Sequence, residues 1–117
     1  MNNYKELKVW QKAVEFTVEI HKLTVSFPNH EQFGLTNQIR RAAYSIPSNI
    51  AEGAGRNSKK EFNHFLSIAL GSTYEIETQL IIADKVNYIE NHKLEEFLGN
   101  ISEIQKMIRG LQKSLDA

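Results

Sequence analysis

Apolar residues recur at alternating spacings of four and three along nearly the whole chain, and that period belongs to the amphipathic helix. In the first segment Val9, Ala13, Phe16, Ile20, Leu23 and Phe27 fall on one stripe, which predicts a helix over about residues 5–26. Lys5, Lys8, Lys12, Glu15, Glu19, Lys22 and Ser26 form an equally regular polar stripe on another face. A third stripe, Leu7, Trp10, Val14, Val18, His21 and Val25, makes over half of the circumference apolar, more than docking on a single core requires. The surplus predicts a subunit interface.

Phe27-Pro28-Asn29 ends this helix, because proline has no amide to donate and disfavours helical backbone in the residue before it. After a loop through about Gly34, Leu35, Ile39, Ala42, Ile46 and Ile50 predict a second helix over about residues 34–54. Pro47 lies inside it. That proline leaves the Ala43 carbonyl without its usual partner and predicts a kink, unless a neighbouring donor or water compensates. Ala42, Ala43, Ser45, Ser48, Ala51, Gly53 and Ala54 are all small, so another backbone is expected to approach closely here. Asn49 and Glu52 on the same helix read either as buried polar groups that set the register of an assembly or as exposed positions.

Gly53, Gly55 and Asn57 supply turn chemistry, and Ser58-Lys59-Lys60-Glu61 has the pattern of a capping box. The third helix starts at Lys59 and runs to about Lys85, with Phe62, Leu66, Ala69, Thr73, Ile76, Leu80 and Ala83 as its stripe and Phe65 and Ile68 widening that face. Asn87, Glu90 and Asn91 form the last turn. Leu94, Phe97, Ile101, Ile104, Ile108, Leu111 and Leu115 then give a fourth helix a heptad-like seam. No strand alternation remains. Four helices of about 30–40 Å joined by short connections predict an all-α, antiparallel up-down four-helix bundle, one domain spanning residues 1–117.

The chain has no cysteine, which excludes disulfides, thiolate zinc sites and cysteine nucleophiles. Met1-Asn2-Asn3-Tyr4-Lys5-Glu6 lacks the basic-then-apolar layout of a signal peptide, and no apolar run approaches the ~20 residues of a membrane span. A soluble cytoplasmic protein without membrane contact is expected. Fourteen basic and fourteen acidic side chains cancel, but residues 1–27 carry +1, residues 28–60 +3 and residues 61–117 −4. A basic middle and an acidic C-terminal half fit an RNA-facing patch, complementary subunit faces, or ion pairs within one bundle.

Glu61-Phe62-Asn63-His64 has the Glu-x-x-His spacing of di-iron bundles. It lacks a second copy, since His21, His30 and His92 have no glutamate three residues earlier, so neither metal nor other cofactor is expected. Helical-bundle ribonucleases of the HEPN type pair an arginine with a histidine four to six residues on; here seven residues separate Arg56 from His64. Gly53-Ala54-Gly55 follows no strand and reads as a helix stop, not a phosphate cradle. No catalytic residues are assigned. Arg40, Arg41, Arg56, Lys59 and Lys60 are the candidates for nucleic-acid contact, set against a simple Glu52–Arg56 pair and solvated lysines. Trp10, like Tyr44 and Tyr74, reads as buried in the core or an interface before it reads as a base-stacking platform.

The run Ile39-Arg40-Arg41-Ala42-Ala43-Tyr44-Ser45-Ile46-Pro47-Ser48-Asn49-Ile50-Ala51-Glu52-Gly53 resembles the four-helix bundle proteins encoded by intervening sequences in bacterial 23S ribosomal RNA genes. Leu7-Lys8-Val9-Trp10, Gly34-Leu35-Thr36, Gly55-Arg56 and Glu77-Thr78-Gln79-Leu80 extend the resemblance, while the last helix matches in pattern alone. It implies an antiparallel protomer assembled into a homopentameric ring with no established enzymatic activity. The family is also similar to the accessory variability proteins of diversity-generating retroelements, pentamers that bind nucleic acid and partner with a reverse transcriptase. By that likeness Arg40, Arg41 and Arg56 come first for contact with RNA or DNA. Leu7, Trp10, Val14, Val18, Asn49 and Glu52 are the expected interface. These readings together predict a non-enzymatic homo-oligomeric scaffold that binds structured nucleic acid, foremost RNA, through phosphate contacts. A protein-interaction adaptor with an acidic C-terminal surface is the alternative, and a cryptic ribonuclease centred on Arg56 and His64 stands behind it.

Overall fold

All four apolar stripes become helices in the computed structural model, which describes residues 3–116: α1 (Lys8–Thr24), α2 (Leu35–Ala54), α3 (Lys59–Lys85) and α4 (Asn91–Asp116). Met1, Asn2 and Ala117, which the expected 1–117 unit includes, lie outside the described residues. The first helix begins later than its spacing suggests. Tyr4–Glu6 forms a separate 3-10 turn and Leu7 is extended, because the Asn3 side chain accepts from the Lys5 amide and closes a local turn that competes with the helix. At its other end α1 stops at Thr24, so Val25 to Phe27 belong to the following turn.

Contacts between neighbouring helices fix their directions. Lys12–Glu103 and Phe16–Phe97 link α1 to α4, and Gln105–Thr73 and Gln112–Ser67 link α4 to α3, numbers rising on one helix as they fall on the other. Ser45–Ser72 and Gly53–Phe65 do the same for α2 and α3, as do Thr17–Ala43 and Thr24–Arg40 for α1 and α2. The bundle is therefore antiparallel throughout. Its stripe residues form one apolar cluster running the length of the helices, with Ile20, Ile39, Ile46, Leu66, Ile76 and Ile104 fully enclosed. Ile68 is a correction to the expected apolar face: it points outward, because it lies a helical step outside the stripe of its own helix, and Tyr44 and Tyr74, read as core or interface residues, lie outside the protomer core as well.

Pro47 sits in a helix that continues unbroken through it. The donor that the proline lacks comes from α1: the buried Thr17 hydroxyl lies 3.1 Å from the Ala43 carbonyl and 2.7 Å from that of Ala13, so its one proton is shared between two helices. On the other side of α2 the small residues bring α3 very close. A Cβ added at Gly53 would lie 2.7 Å from Phe65 Cβ and 3.0 Å from Phe62 Cδ1. Above this contact a directed chain of hydrogen bonds runs from Asn49 Nδ2 to Ser45 Oγ (2.9 Å), on to Ser72 Oγ (2.7 Å), and from there to the Ile68 carbonyl (3.2 Å).

One end of the bundle is closed by two turns that lock each other. After α3, Asn87 adopts φ 65°, and the Tyr88 amide reaches back to the Ala83 carbonyl (2.8 Å) in a Schellman arrangement. That geometry turns Tyr88 onto Phe27 and aims its hydroxyl at Glu31 Oε2, 2.7 Å away. The other oxygen of Glu31 accepts from the Leu35 amide (3.1 Å) and so caps α2, close enough to Gly34 that a Cβ there would lie 2.8 Å from it. The Tyr88 hydroxyl, then the Leu35 amide, hold the Glu31 carboxyl below the usual glutamate range, and the same bond raises the Tyr88 phenol. At the opposite end Ser58 caps α3 by accepting from the Glu61 amide (3.1 Å). The return half of the expected capping box is absent, since the Glu61 carboxylate turns instead toward the Ser58 hydroxyl and Arg56.

Two outcomes follow from these ties. Thr17→Val is expected to destabilise the protein by about 1–3 kcal/mol in chemical denaturation, and by about 1 kcal/mol less in a Pro47→Ala background, where residue 47 again donates to Ala43. Equal losses in both backgrounds would show that the hydroxyl does not serve that carbonyl. For the Glu31 latch, carboxyl-detected NMR should place the Glu31 titration below the ordinary glutamate range, and Tyr88→Phe should move it upward. A carboxyl so depressed stabilises the fold above its unfolded pKa, and the contribution fades as pH falls through the folded value. Tyr88→Phe should therefore be less stable than the wild type near neutrality, with the difference shrinking as the pH falls into the acid range.

Candidate functional site

The five basic residues singled out from the sequence do not form one cluster. Arg40 and Arg41 are consecutive on α2 and so point to different sides. Arg40 Nε donates to Thr24 Oγ1 (2.8 Å) and Arg40 Nη2 lies 3.3 Å from the His21 carbonyl, a cation at the C-terminal end of α1 where the helix dipole favours it. Arg41 is exposed beside α3 and makes no ion pair among the described residues. About 20 Å further along α2, at 1.5 Å per residue, the chain turns into α3. There Arg56 lies between Glu52 (2.9 Å) and Glu61 (3.7 Å), its guanidinium 4.8 Å from the centre of the Phe65 ring. The pair with Glu52 forms even though α2 ends at Ala54. Lys59 and Lys60, the first two residues of α3, are exposed and unpaired among the described residues.

His64 stacks edge-on against the same Phe65, so the fold brings it and Arg56 to one ring, with Arg56 already facing two carboxylates. Among the described residues no three His, Asp or Glu side chains converge as metal ligands, and no helix is long and apolar enough to cross a membrane.

The expected interface residues divide. Leu7 and Trp10 are half-buried against the core of their own protomer, Trp10 edge-on to Tyr4 at 5.2 Å. Asn49 is satisfied within α2 by the Ser45 carbonyl (2.8 Å) and hydroxyl, and Glu52 holds Arg56. Val14 is half-buried, whereas Val18 is 47% exposed and Val25 74%. They share their stripe with His21, which is hydrogen-bonded to Tyr44, and this fixes them on the α1/α2 side of the bundle. A second apolar patch, of which Tyr74 alone was read from the sequence as a core or interface residue, lies on the opposite side. Tyr74 (42% exposed) and Ile81 (36%), seven residues apart on α3, face α4, where Arg109 sits 5.7 Å from the Tyr74 ring.

Between these two sides the α2/α3 face opens into a groove of about 320 Å³, lined by Gln38, Arg41, Ala42, Ser45 and Glu75. Arg41 and Glu75 stand on opposite walls with no ion pair between them. One turn beyond Glu75, Gln79 donates from Nε2 to Glu75 Oε2 (3.4 Å), is only 7% exposed, and leaves its Oε1 without a hydrogen-bond partner among the described residues. Of this group only Arg41 was singled out in the sequence. Glu75 and Gln79 show their i,i+4 spacing there, but that Gln38 and Arg41 face them depends on the pairing of α2 with α3.

The profile of the family described as 23S rRNA-intervening sequence protein matches residues 5–110. Among solved structures, a protein of unknown function from the S23 ribosomal protein family of Bacteroides thetaiotaomicron VPI-5482 superposes with a TM-score of 0.83 at 31% identity, over 90% of this chain and 95% of that one. No curated protein matches.

Proposed function

We propose that this chain, which belongs to the 23S rRNA-intervening sequence protein family, is a non-enzymatic scaffold that closes into a homopentameric ring and holds structured RNA by its phosphates. The observation that carries the reading is the pair of apolar patches on opposite sides of the bundle, Val18 and Val25 on one and Tyr74 and Ile81 on the other. Two unlike faces on opposite sides support head-to-tail association, which closes into a ring when the rotation permits. Leu7, Trp10 and Val14 extend the first patch toward the start of α1. For RNA, Lys59 and Lys60 are favoured because they are free of carboxylates and stand at the first turn of α3, where the dipole also favours anions. Arg40 and Arg56 enter as supporting contacts, since each is tied within the protomer.

Light scattering on the eluted protein should give about five times the 13.4 kDa chain mass at low and high salt; a 13.4 kDa species would remove the ring. Val18→Glu and Ile81→Glu should each yield protomers with helicity intact. Mixed, they should give a dimer, because one sound copy of each face remains to pair; two variants that stay monomeric together would exclude the head-to-tail arrangement. For the RNA contacts, Lys59→Gln with Lys60→Gln should weaken binding to every sequence alike and reduce the salt-dependence slope by about 1.5–2 for each protomer that touches the RNA. An unchanged slope would take both lysines out of the contact.

A further inference from the structure

We infer that the contact between subunits is a parallel pairing of α1 of one copy with α3 of the next, with Trp10 seated over Gly71. The inference rests on the ring reading above and says which helices meet and in what register. It starts from a glycine that the protomer does not use. Gly71 lies in the middle of α3, is exposed, and has nothing within 4 Å of the place where a Cβ would stand, in contrast to Gly53. Glycine inside a helix is less stable than alanine there, so a glycine at this open position is accounted for by a large side chain arriving from outside. Gly71 is also part of a second stripe on α3. Ser67, Gly71, Tyr74, Thr78 and Ile81 follow at spacings of four, three, four and three, and all of them are exposed. The polar residues of this stripe and of the surplus stripe on α1 are already engaged within the protomer: Ser67 accepts from Gln112 (2.9 Å), Thr78 donates to the Tyr74 carbonyl (2.9 Å), and His21 is bonded to Tyr44. Covering them therefore strands no donor that water had satisfied.

The heights of the two stripes match. Thr17 is tied to Ala43 and Ser45 to Ser72, which carries residue 17 of α1 across α2 to a level near residue 74 of α3. Lys12 is tied to Glu103 and Gln105 to Thr73, which carries residue 12 across α4 to a level near residue 75. Both routes run α1 parallel to α3, and together they set each residue of α1 level with the one about 60 further along the chain. In a closed ring whose axis runs along the bundles every copy stands at the same height, so levels within one protomer are also the levels at which neighbours meet. Val14, Val18 and His21 then face Tyr74, Thr78 and Ile81 of the next copy at the same spacings of four and three, and Trp10 comes over Gly71. A slip of one helical turn keeps the spacing but sets Trp10 against the Tyr74 ring or against Ser67, and leaves the open space at Gly71 to a smaller side chain. The sideways fit agrees. The His21–Tyr44 bond turns the α1 stripe toward α2, and Arg109 against Tyr74 turns the α3 stripe toward α4. So α1 of one copy lies in the α3/α4 groove of the next, whose α3 lies in the α1/α2 groove of the first.

The chain has no cysteine of its own, so a pair of introduced ones tests the register directly. Val18→Cys with Thr78→Cys, both at exposed positions, should give on mild oxidation of the full chain a non-reducing ladder that ends at five chains. Within one bundle α1 and α3 make no contact among the described residues, so a bridge inside one chain does not compete. Val18→Cys with Gly71→Cys, two turns off register, should give no ladder. Gly71→Leu should keep its helicity and need at least about tenfold more protein to assemble. Gly110→Leu is the control: it too is exposed with open space around it, but it lies seven residues after Glu103, on the α1/α4 side, and should assemble as the wild type does. Equal ladders from the two cysteine pairs, a disulfide dimer from Val18→Cys alone, or a Gly71→Leu protein that assembles normally would overturn the pairing. A mass of five chains with no ladder would do the same and leave the ring reading standing. A ladder running past five chains would keep the pairing and end the closed ring, whereas a 13.4 kDa species would end both.

Discussion

The middle of α2 is short of one amide, and the fold makes up the deficit from another helix. Pro47 cannot donate to Ala43, the carbonyl is buried, and an unpaired buried carbonyl is among the more expensive defects a small bundle can hold. Thr17 supplies the proton from α1, which fixes the rotation and the axial position of α1 against α2 as a packing of isoleucines alone would not. On its other flank α2 is fixed by size. Gly53 lets the backbones approach until Phe65 and Phe62 sit where any side chain would be, and the Asn49–Ser45–Ser72 chain sets the register along that contact. Since α2 is held from both sides, the groove on its outer edge is a surface of fixed shape.

That rigidity bears on how a neutral chain can engage a polyanion. Formal charge cancels over the whole sequence, and part of it cancels locally as well: Lys12 with Glu103, Lys22 with Glu19, Arg56 with two glutamates. The other basic side chains are balanced by a nearly equal number of carboxylates, which leaves no net field for the broad electrostatic capture used by strongly basic proteins. In the proposed ring, each copy would add its own Lys59 and Lys60, and weak contacts at fixed separations would act together. The proposed oligomer and the proposed RNA contact therefore depend on each other: a monomer with these charges has little to hold RNA with.

Helix count, stripe residues and the boundaries of α2 and α3 were legible in the sequence because each depends on local spacing and local caps. The turn at Asn87, though not its Schellman geometry, and the Ser58 cap belong to the same class. The 3-10 turn at Tyr4–Glu6 escaped, since the polar stripe starts inside it at Lys5 and only the Asn3 side chain diverts the backbone. Glu61 had the right position for a capping box and was drawn away by Arg56, a choice between two local partners that spacing does not decide. The Glu31–Tyr88 latch and the Arg41–Glu75 groove were out of reach for a different reason. They join residues far apart in the chain, and which side of α3 meets which side of α2 is settled by Gly53 and the serines, not by either helix alone.

The distribution of functions over the four sides of the bundle then becomes an argument about geometry. The α1/α2 side carries the exposed Val18 and Val25 and the α3/α4 side, opposite it, Tyr74 and Ile81; the α1/α4 side carries the Lys12–Glu103 pair, and the α2/α3 side carries the polar groove, with exposed Ile68 and Ile82 seven residues either side of Glu75. A ring built through the two apolar sides leaves the other two facing its axis and its exterior. The groove remains open in such a ring, repeated once per protomer at equal spacing. If instead the α2/α3 side were the contact between subunits, Arg41 and Glu75 would be buried against a neighbour that has to supply an anion and a donor at the same point. The exposed faces on the sides already offer apolar area without that requirement, and desolvating unpaired charges works against association.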